Sequence, residues 1–337
     1  MNKALKYQEP AGIKLGANIP PLVDDDELRF LSQLGLEYCY TWLEDDQLTY
    51  DFIASLRERA ARHGLTLYNA GNLTLGKSAA IHLGLPERDA HIERFQEFLR
   101  TLSRAGVHTT TITWEPNGTL STSPTNGVCY DFHGTARGGA AARMVDMAVM
   151  DKWGPTHGRV YPKEETWENF TYFARRIVPA AEETEVRIAL HPNDPPVPMV
   201  GGIATLIENR DDYRRAFAIA DSDFFGMEFC CGCWLEGGSA GFGDIMQGIE
   251  EFVKAGKVFV VHFRNVTSPL PCFTETFIDE GYQDMQDIMS AFVRAGYNGT
   301  LVMDHTPDLV GGRLTAAAYA TGYLKALLRA AEREASR

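Results

Sequence analysis

The feature that most constrains this chain is a regular alternation. Eight short runs rich in β-branched and aromatic residues alternate with eight amphipathic segments of helical period over 337 residues. The runs are GIKLGAN (12–18), LEYCYTW (36–42), LTLYNAG (65–71), HTTTITW (108–114), VRIALH (186–191), FFGMEFC (224–230), KVFVVHF (257–263) and TLVMDH (300–305). Gly, Pro, Asn or Asp bounds them, as is usual for strands. Helical spacing marks 24–34, 47–63, 87–106, 165–183, 209–220, 243–256, 283–296 and 314–333. In RDAHIERFQEFLRTLSRAG (88–106), Ile92, Phe95, Phe98, Leu99 and Leu102 share one face, and Gly106 ends the helix. Eight strand–helix units are the count of a (β/α)8 TIM barrel, an α/β fold. The competing doubly wound sheet would carry a glycine-rich phosphate loop after its first strand, and GANIPPLVDDDEL is not one. The chain therefore reads as a single TIM-barrel domain over 1–337. Residues 115–163, rich in Gly, Thr, Ser and Pro, read as a long loop insertion after the fourth strand, serving as a lid or an interface arm.

Composition narrows the partners. A net charge of −13 repels a phosphate backbone, so no nucleic-acid partner is expected. The opening MNKALKYQEPAG lacks the apolar run of an export signal, and no stretch of 18 apolar residues occurs. Cytoplasm, with no membrane partner, is the default expectation. Cysteines in that compartment stay mostly reduced. Three of the six lie in MEFCCGCWLEGG (227–238), while Cys39, Cys129 and Cys272 are isolated, so the two separated pairs of a four-cysteine zinc site are missing. Cys230 and Cys233 form a C-x-x-C. A thioredoxin-like site places that motif at the start of a helix after a strand. Here the strand itself runs into the motif and glycines follow, which disfavours a redox role.

In a TIM barrel, chemistry collects at the C-terminal ends of the strands. Those ends carry Glu115 on the fourth strand, His191 on the fifth, Cys230 on the sixth, His262 on the seventh with Arg264 two residues on, and Asp304 with His305 on the eighth. For any one of these, a buried side chain satisfied by backbone is the better reading. Four possible ligands on four successive strands point instead to one divalent transition metal held by His191, Cys230, His262 and Asp304. Imidazole suits Mn, Fe and Zn. The thiolate pulls towards Zn or Fe and the carboxylate towards Mn, so the set leaves the ion open. Cys231 should face the other way and pack. Cys233 reads as a small residue of the following loop.

The motifs IHLGLPERDAHIERFQEFLRTLSRAG, ALHPNDPP, EFCCGCW, HFRNV, F-x-E-x-F-x-D-x-G-x-x-DM (273–285) and GYNGTLVMDHTP together resemble mannonate dehydratase of the metal-dependent, xylose-isomerase-like barrel type. The resemblance runs from about residue 80 to 106 and again from 186 to 307. It implies a lyase that takes water from a sugar acid such as D-mannonate to give a 2-keto-3-deoxy acid. It also implies one Mn2+ or Fe2+ ion on His191, Cys230, His262 and Asp304. His305 is then implied in proton transfer, and Arg264 in holding the substrate carboxylate. Glu115, His82 and Asn193 are further candidates for substrate contact, and Tyr319 for the family's catalytic tyrosine. Glu275 and Asp279 are candidates for a loop that closes over the site. The family's N-terminal Arg-Trp-Tyr-Gly motif is absent, which points to a separate branch. The rival readings are a sugar isomerase or epimerase of the same barrel type and a sugar-binding relative without catalysis. Cys230 argues against the first and the full ligand set against the second. A homodimer is expected, since barrels of this kind often pair.

Overall fold

Each predicted strand forms where the alternation placed it. The computed structural model describes residues 11–116, 131–152 and 154–337. The first four strands are β1 (Ile13–Asn18), β2 (Tyr38–Trp42), β3 (Thr66–Gly71) and β4 (Thr109–Thr113). The insertion adds β5 (Asp131–Thr135) and β6 (Ala141–Asp146). Then come β7 (Arg187–His191), the short pair β8 (Met199–Val200) and β9 (Ile203–Ala204), β10 (Phe225–Cys230), β11 (Val258–Phe263), β12 (Cys272–Thr274) and β13 (Gly299–Met303). Eight of them form one sheet in the order β3-β2-β1-β13-β11-β10-β7-β4, with every ladder parallel. Its two end strands lie side by side, where Asn69 Nδ2 donates to Thr111 Oγ1 at 2.8 Å. This is the ring of a TIM barrel.

The helices are α1 (Asp25–Gln33), α2 (Tyr50–Arg62), the single turns α3 (Leu73–Gly76) and α4 (Ala79–His82), α5 (Arg88–Ala105), α6 (Met147–Met150), α7 (Lys163–Thr184), α8 (Arg210–Ala220), α9 (Cys231–Gly237), α10 (Ile245–Lys254), α11 (Met285–Ala295) and α12 (Gly312–Ala335). Local chemistry fixes their starts. The side chains of Asp24, Thr49, Asn209 and Asp284 accept from the first free backbone N–H groups of α1, α2, α8 and α11. On α5 the predicted face of Ile92, Phe95, Phe98, Leu99 and Leu102 is buried, and Gly106 at φ +78° ends the helix in a conformation other residues resist. These faces join the strands' outward side chains in one continuous apolar core. Among the described residues no helix is long and apolar enough to cross a membrane.

The irregular loop expected over 115–163 is in part a sheet. β5 pairs antiparallel with β6, and β6 with β12, Val145 opposite Phe273. The strand that completes β6 lies far along the chain, and local pattern carries no sign of such pairing. Residues 117–130 and 153, and Cys129 with them, lie outside the described residues. The remainder roofs the C-terminal mouth of the ring, since Ala141, Ala142 and Arg143 line the cavity beneath it.

Candidate metal centre and active site

Register brings the strand-end donors level. Cys230 stands opposite His262, and His262 opposite Val302. Two residues past Val302, Asp304 returns to the same side of its strand. The donor atoms of Cys230, His262 and Asp304 consequently lie within 4.8 Å of one another, as do those of His191, Glu228 and His262. Cys230 Sγ is 3.7 Å from Asp304 Oδ2. His262 Nδ1 is 3.4 Å from Asp304 Oδ1. The rings of His191 and His262 meet edge to face at 5.5 Å between centroids. The four residues singled out from the strand ends therefore form one chain of overlapping contacts: Cys230, His262 and Asp304 lie together, and His191 joins them through Cys230 and through His262. Glu228 joins them and was missed. Its signal was a carboxylate inside an apolar strand, two residues before Cys230 and therefore on the same face. Its Oε1 lies 2.8 Å from His262 Nε2, the position of a carboxylate that orients a ligating imidazole.

The cluster has the electrostatics of a cation site. Burial opposes charge on His262, but Glu228 and Asp304 outweigh it and hold its pKa well above the usual imidazole range. Burial likewise opposes the Cys230 thiolate, yet Cys233, Arg264 and His191 bring its pKa well below the ordinary thiol value. Neither ring nitrogen of His262 makes a well-directed hydrogen bond, nor does Glu228 Oε2, although all are buried. Unsatisfied groups of this kind call for a partner, and a bound cation is one. Two imidazoles, a thiolate and a carboxylate fit a divalent transition metal.

Above the cluster opens a cavity of about 820 Å3. His191, Glu228, His262, Asp304 and His305 line it below, with Tyr40, Lys77, Glu115, Arg143 and Arg313 among its other lining residues. His305 Nδ1 lies 3.0 Å from both Glu275 Oε1 and Arg264 Nη1, its Nε2 lies 3.2 Å from Asp304 Oδ1, and Arg143 Nη1 contacts both ring nitrogens. Burial first, with Arg143 adding to it, lowers the His305 pKa against the pull of Asp304 and Glu275. The imidazole is therefore neutral at neutral pH. Arg143 went unnoticed in the sequence because nothing local ties β6 to the strand ends.

Other candidates take different places. Arg264 does not line the cavity. It is fully buried, with Nη2 donating to Glu236 at 2.7 Å and to Asp194 at 3.2 Å, Nη1 donating to Glu275, and Nε 3.4 Å from Asp304. The backbone of α9 covers it so closely that a Cβ on Gly232 would stand 2.0 Å from Arg264 Nε. His82 also lies off the cavity. It stacks on Trp114 at 4.0 Å, and burial, with Lys77, lowers its pKa to about 3. Asn193 spends its amide on backbone, donating to the Trp114 carbonyl and accepting from the Ile207 N–H. Glu115 keeps a cavity position, held by Lys77 Nζ and the Asp194 N–H, each at 2.7 Å. Glu275 stays buried beneath His305, whereas Tyr319 donates to Asp279, which pairs with Arg137; neither Tyr319 nor Asp279 lines the cavity. Cys231 packs in the apolar core. Cys233 is not in a loop: α9 begins directly after β10 and contains it.

The sequence profile of the D-mannonate dehydratase (UxuA) family matches residues 157–333, more than half of the chain. The chain belongs to the D-mannonate dehydratase family. A mannonate dehydratase of Thermotoga petrophila is 27% identical over 287 residues, covering 75% of this chain and 76% of the relative. The crystal structure of mannonate dehydratase from Streptococcus suis serotype 2 superposes with a TM-score of 0.83 over 97% of each chain at 22% identity. A xylose isomerase domain protein from Planctomyces limnophilus follows the same fold with a TM-score of 0.64 and 12% identity over 97% of this chain and 100% of that one. Membership in the D-mannonate dehydratase family makes the chain a carbon–oxygen lyase acting on a small molecule. Isomerase- and epimerase-type barrels are its more distant relatives in fold. The metal dependence implied for the family agrees with the donor set.

Proposed function

We propose that this D-mannonate dehydratase family member removes water from D-mannonate or a close aldonate to leave a 2-keto-3-deoxy acid. The observation that carries the reading is the convergence of His191, Cys230, His262 and Asp304 beneath a cavity that also presents His305. Those four residues would hold one divalent ion, Mn2+ or Fe2+. When bound, the ion supplies a Lewis acid for the carboxylate end of the substrate.

The chain's own residues supply the rest. Arg143 presents a planar, fork-shaped donor on the cavity wall and suits the aldonate carboxylate. Carboxylates flank both nitrogens of His305, Glu275 Oε1 at Nδ1 and Asp304 Oδ1 at Nε2; we assign the proton to Nδ1, towards Glu275, because Nε2 is then the nitrogen with a lone pair. Arg143 crowds both nitrogens of the ring; once a carboxylate draws the guanidinium away, Nε2 is free to take the proton from the carbon next to the carboxylate. Tyr40 lines the same cavity, its ring 6.1 Å from His262. Burial raises its pKa, so it is protonated at neutral pH; its place on the cavity wall, not its acidity, makes it our assigned donor to the departing hydroxyl.

The test is metal analysis of purified protein beside a panel of aldonates scored for 2-keto-3-deoxy product, with Cys230→Ala in parallel. The reading expects close to one equivalent of Mn or Fe, lost in the variant, and product from mannonate. Bound metal with no keto-deoxy acid from any aldonate would reject the substrate class and direct the search to keto sugars.

A further inference from the structure

We propose that Cys230 and Cys233 form a reversible disulfide that releases the metal, making the centre sensitive to oxidation. This rests on the reading of Cys230 as a ligand. Cys230 ends β10 and is the N-cap of α9, and Cys233 is the third residue of that helix. The C-x-x-C therefore opens a helix directly after a strand, the arrangement the sequence had disfavoured. Residues three apart on a helical turn have Cα atoms about 5 Å apart, within the separation of roughly 4.4–6.8 Å that a disulfide spans. The two sulfurs and a ring nitrogen of His191 lie within 4.8 Å of one another. Arg264 Nη2 lies 3.8 Å from one sulfur and 3.6 Å from the other, so both thiols turn towards the same point. Cys231 packs into the apolar core instead.

Both sulfurs are fully buried and neither lines the cavity. The cavity floor is His191, His262 and Asp304, whose donor atoms lie within 4.8 Å of a sulfur, so a molecule as small as hydrogen peroxide that enters it has one layer of side chains left to pass. One thiol reduces the peroxide, becoming a sulfenic acid and releasing one water. The second sulfur then attacks the first, its proton leaves with the displaced hydroxide as a second water, and the S–S bond forms. In sum, two thiols and one peroxide give one disulfide and two waters. A sulfur so bonded is no longer a thiolate ligand, which leaves His191, His262 and Asp304 as the remaining donors. A dithiol reverses the change by exchange, ending as its own disulfide.

The experiment uses the full chain loaded with Mn2+ and treated with hydrogen peroxide. Metal release is followed with a colorimetric chelator, and the tryptic peptide 216–254, which contains all three neighbouring cysteines, is mapped by mass spectrometry after alkylation. The expected result is a Cys230–Cys233 crosslink with Cys231 alone alkylated, loss of the bound Mn2+, and recovery of both the thiols and the metal with dithiothreitol and Mn2+. Cys233→Ser, checked for its fold by thermal melting, has no second thiol to trap the sulfenic acid, so excess peroxide carries Cys230 on to the sulfinic acid, scored by mass, and the metal lost with it should not return with dithiothreitol. In the wild-type chain, metal retained in crosslinked protein, or metal lost with no crosslink, would overturn the proposal. Reduced protein that binds no Mn2+ would instead remove the metal reading, a result distinguished because the crosslink is scored by mass alone.

Discussion

Replacing Arg264 with methionine removes the cation from among Asp194, Glu236, Glu275 and Asp304, and the cost can be worked from one of them. Burial pushes the Glu275 carboxyl up, but Arg264, followed by His305 and Arg143, outweighs it and holds the group at about 2 against an ordinary 4.5. At 1.36 kcal/mol for each pH unit between those values, the arrangement contributes roughly 3 kcal/mol at neutral pH. Stripping one partner from a buried ion pair costs about 3–5 kcal/mol in general, which is the same scale. At about 2 °C per kcal/mol for a chain of this length, the midpoint of thermal unfolding should fall by roughly 6–10 °C. The pH dependence follows from the sign. A carboxyl depressed by folding adds stability that is complete above its unfolded value near 4.5 and is lost as the pH falls towards 2. Asp194, pushed up by burial to about 7, and Glu236, also pushed up by burial, hold their protons at lower pH despite Arg264, so the gap between wild type and R264M in urea unfolding, read by tryptophan fluorescence, should narrow as the pH falls from 4.5 towards 2. An unchanged unfolding midpoint together with a tenfold or larger rise in KM for the aldonate would refute this reasoning. It would return Arg264 to the role of substrate anchor.

Three further variants separate the parts of the site. Arg143→Ala removes a charged hydrogen bond worth about 1.5–3 kcal/mol, so KM for the aldonate should rise about ten- to hundredfold with little change in melting temperature; an unchanged KM would take the carboxylate away from Arg143. His305→Asn keeps the shape of a polar side chain but not the base, and kcat should fall by about 10²–10⁴-fold while metal content stays constant; a loss of metal would make His305 a ligand. Glu228→Gln should weaken metal affinity by about 10–100-fold in a chelator competition, as expected of a group that orients a ligating imidazole; full affinity would leave Glu228 with no part in the centre.

Much of this was legible in the sequence, for identifiable reasons. Strand and helix periods differ, so the eight units could be counted, and side chains at strand ends fall into place once a barrel is inferred. That logic brought His191, Cys230, His262 and Asp304 to neighbouring strand ends because their positions depend only on local pattern and barrel closure. It misjudged Arg264, which shares a face with His262 by the two-residue period but is enclosed by Asp194, Glu236 and Glu275 from three other segments. Those segments meet only in the folded chain. His82 follows a strand as a site residue would, yet the nearest aromatic ring claims it. Arg143 was invisible because it depends on a strand pairing between residues 144–146 and 272–274.

That pairing has a consequence for how such an enzyme can change its substrate. The roof over the cavity is stitched from two separate connections, the one after β4 and the one after β11, through the β6–β12 ladder. Neither connection can be exchanged alone. A donor loop grafted after β4 would arrive with its strand edge unpaired and its arginine out of register with His305. The two loops form a single inheritable cassette split across the gene, so a new specificity would have to be transplanted as a matched pair.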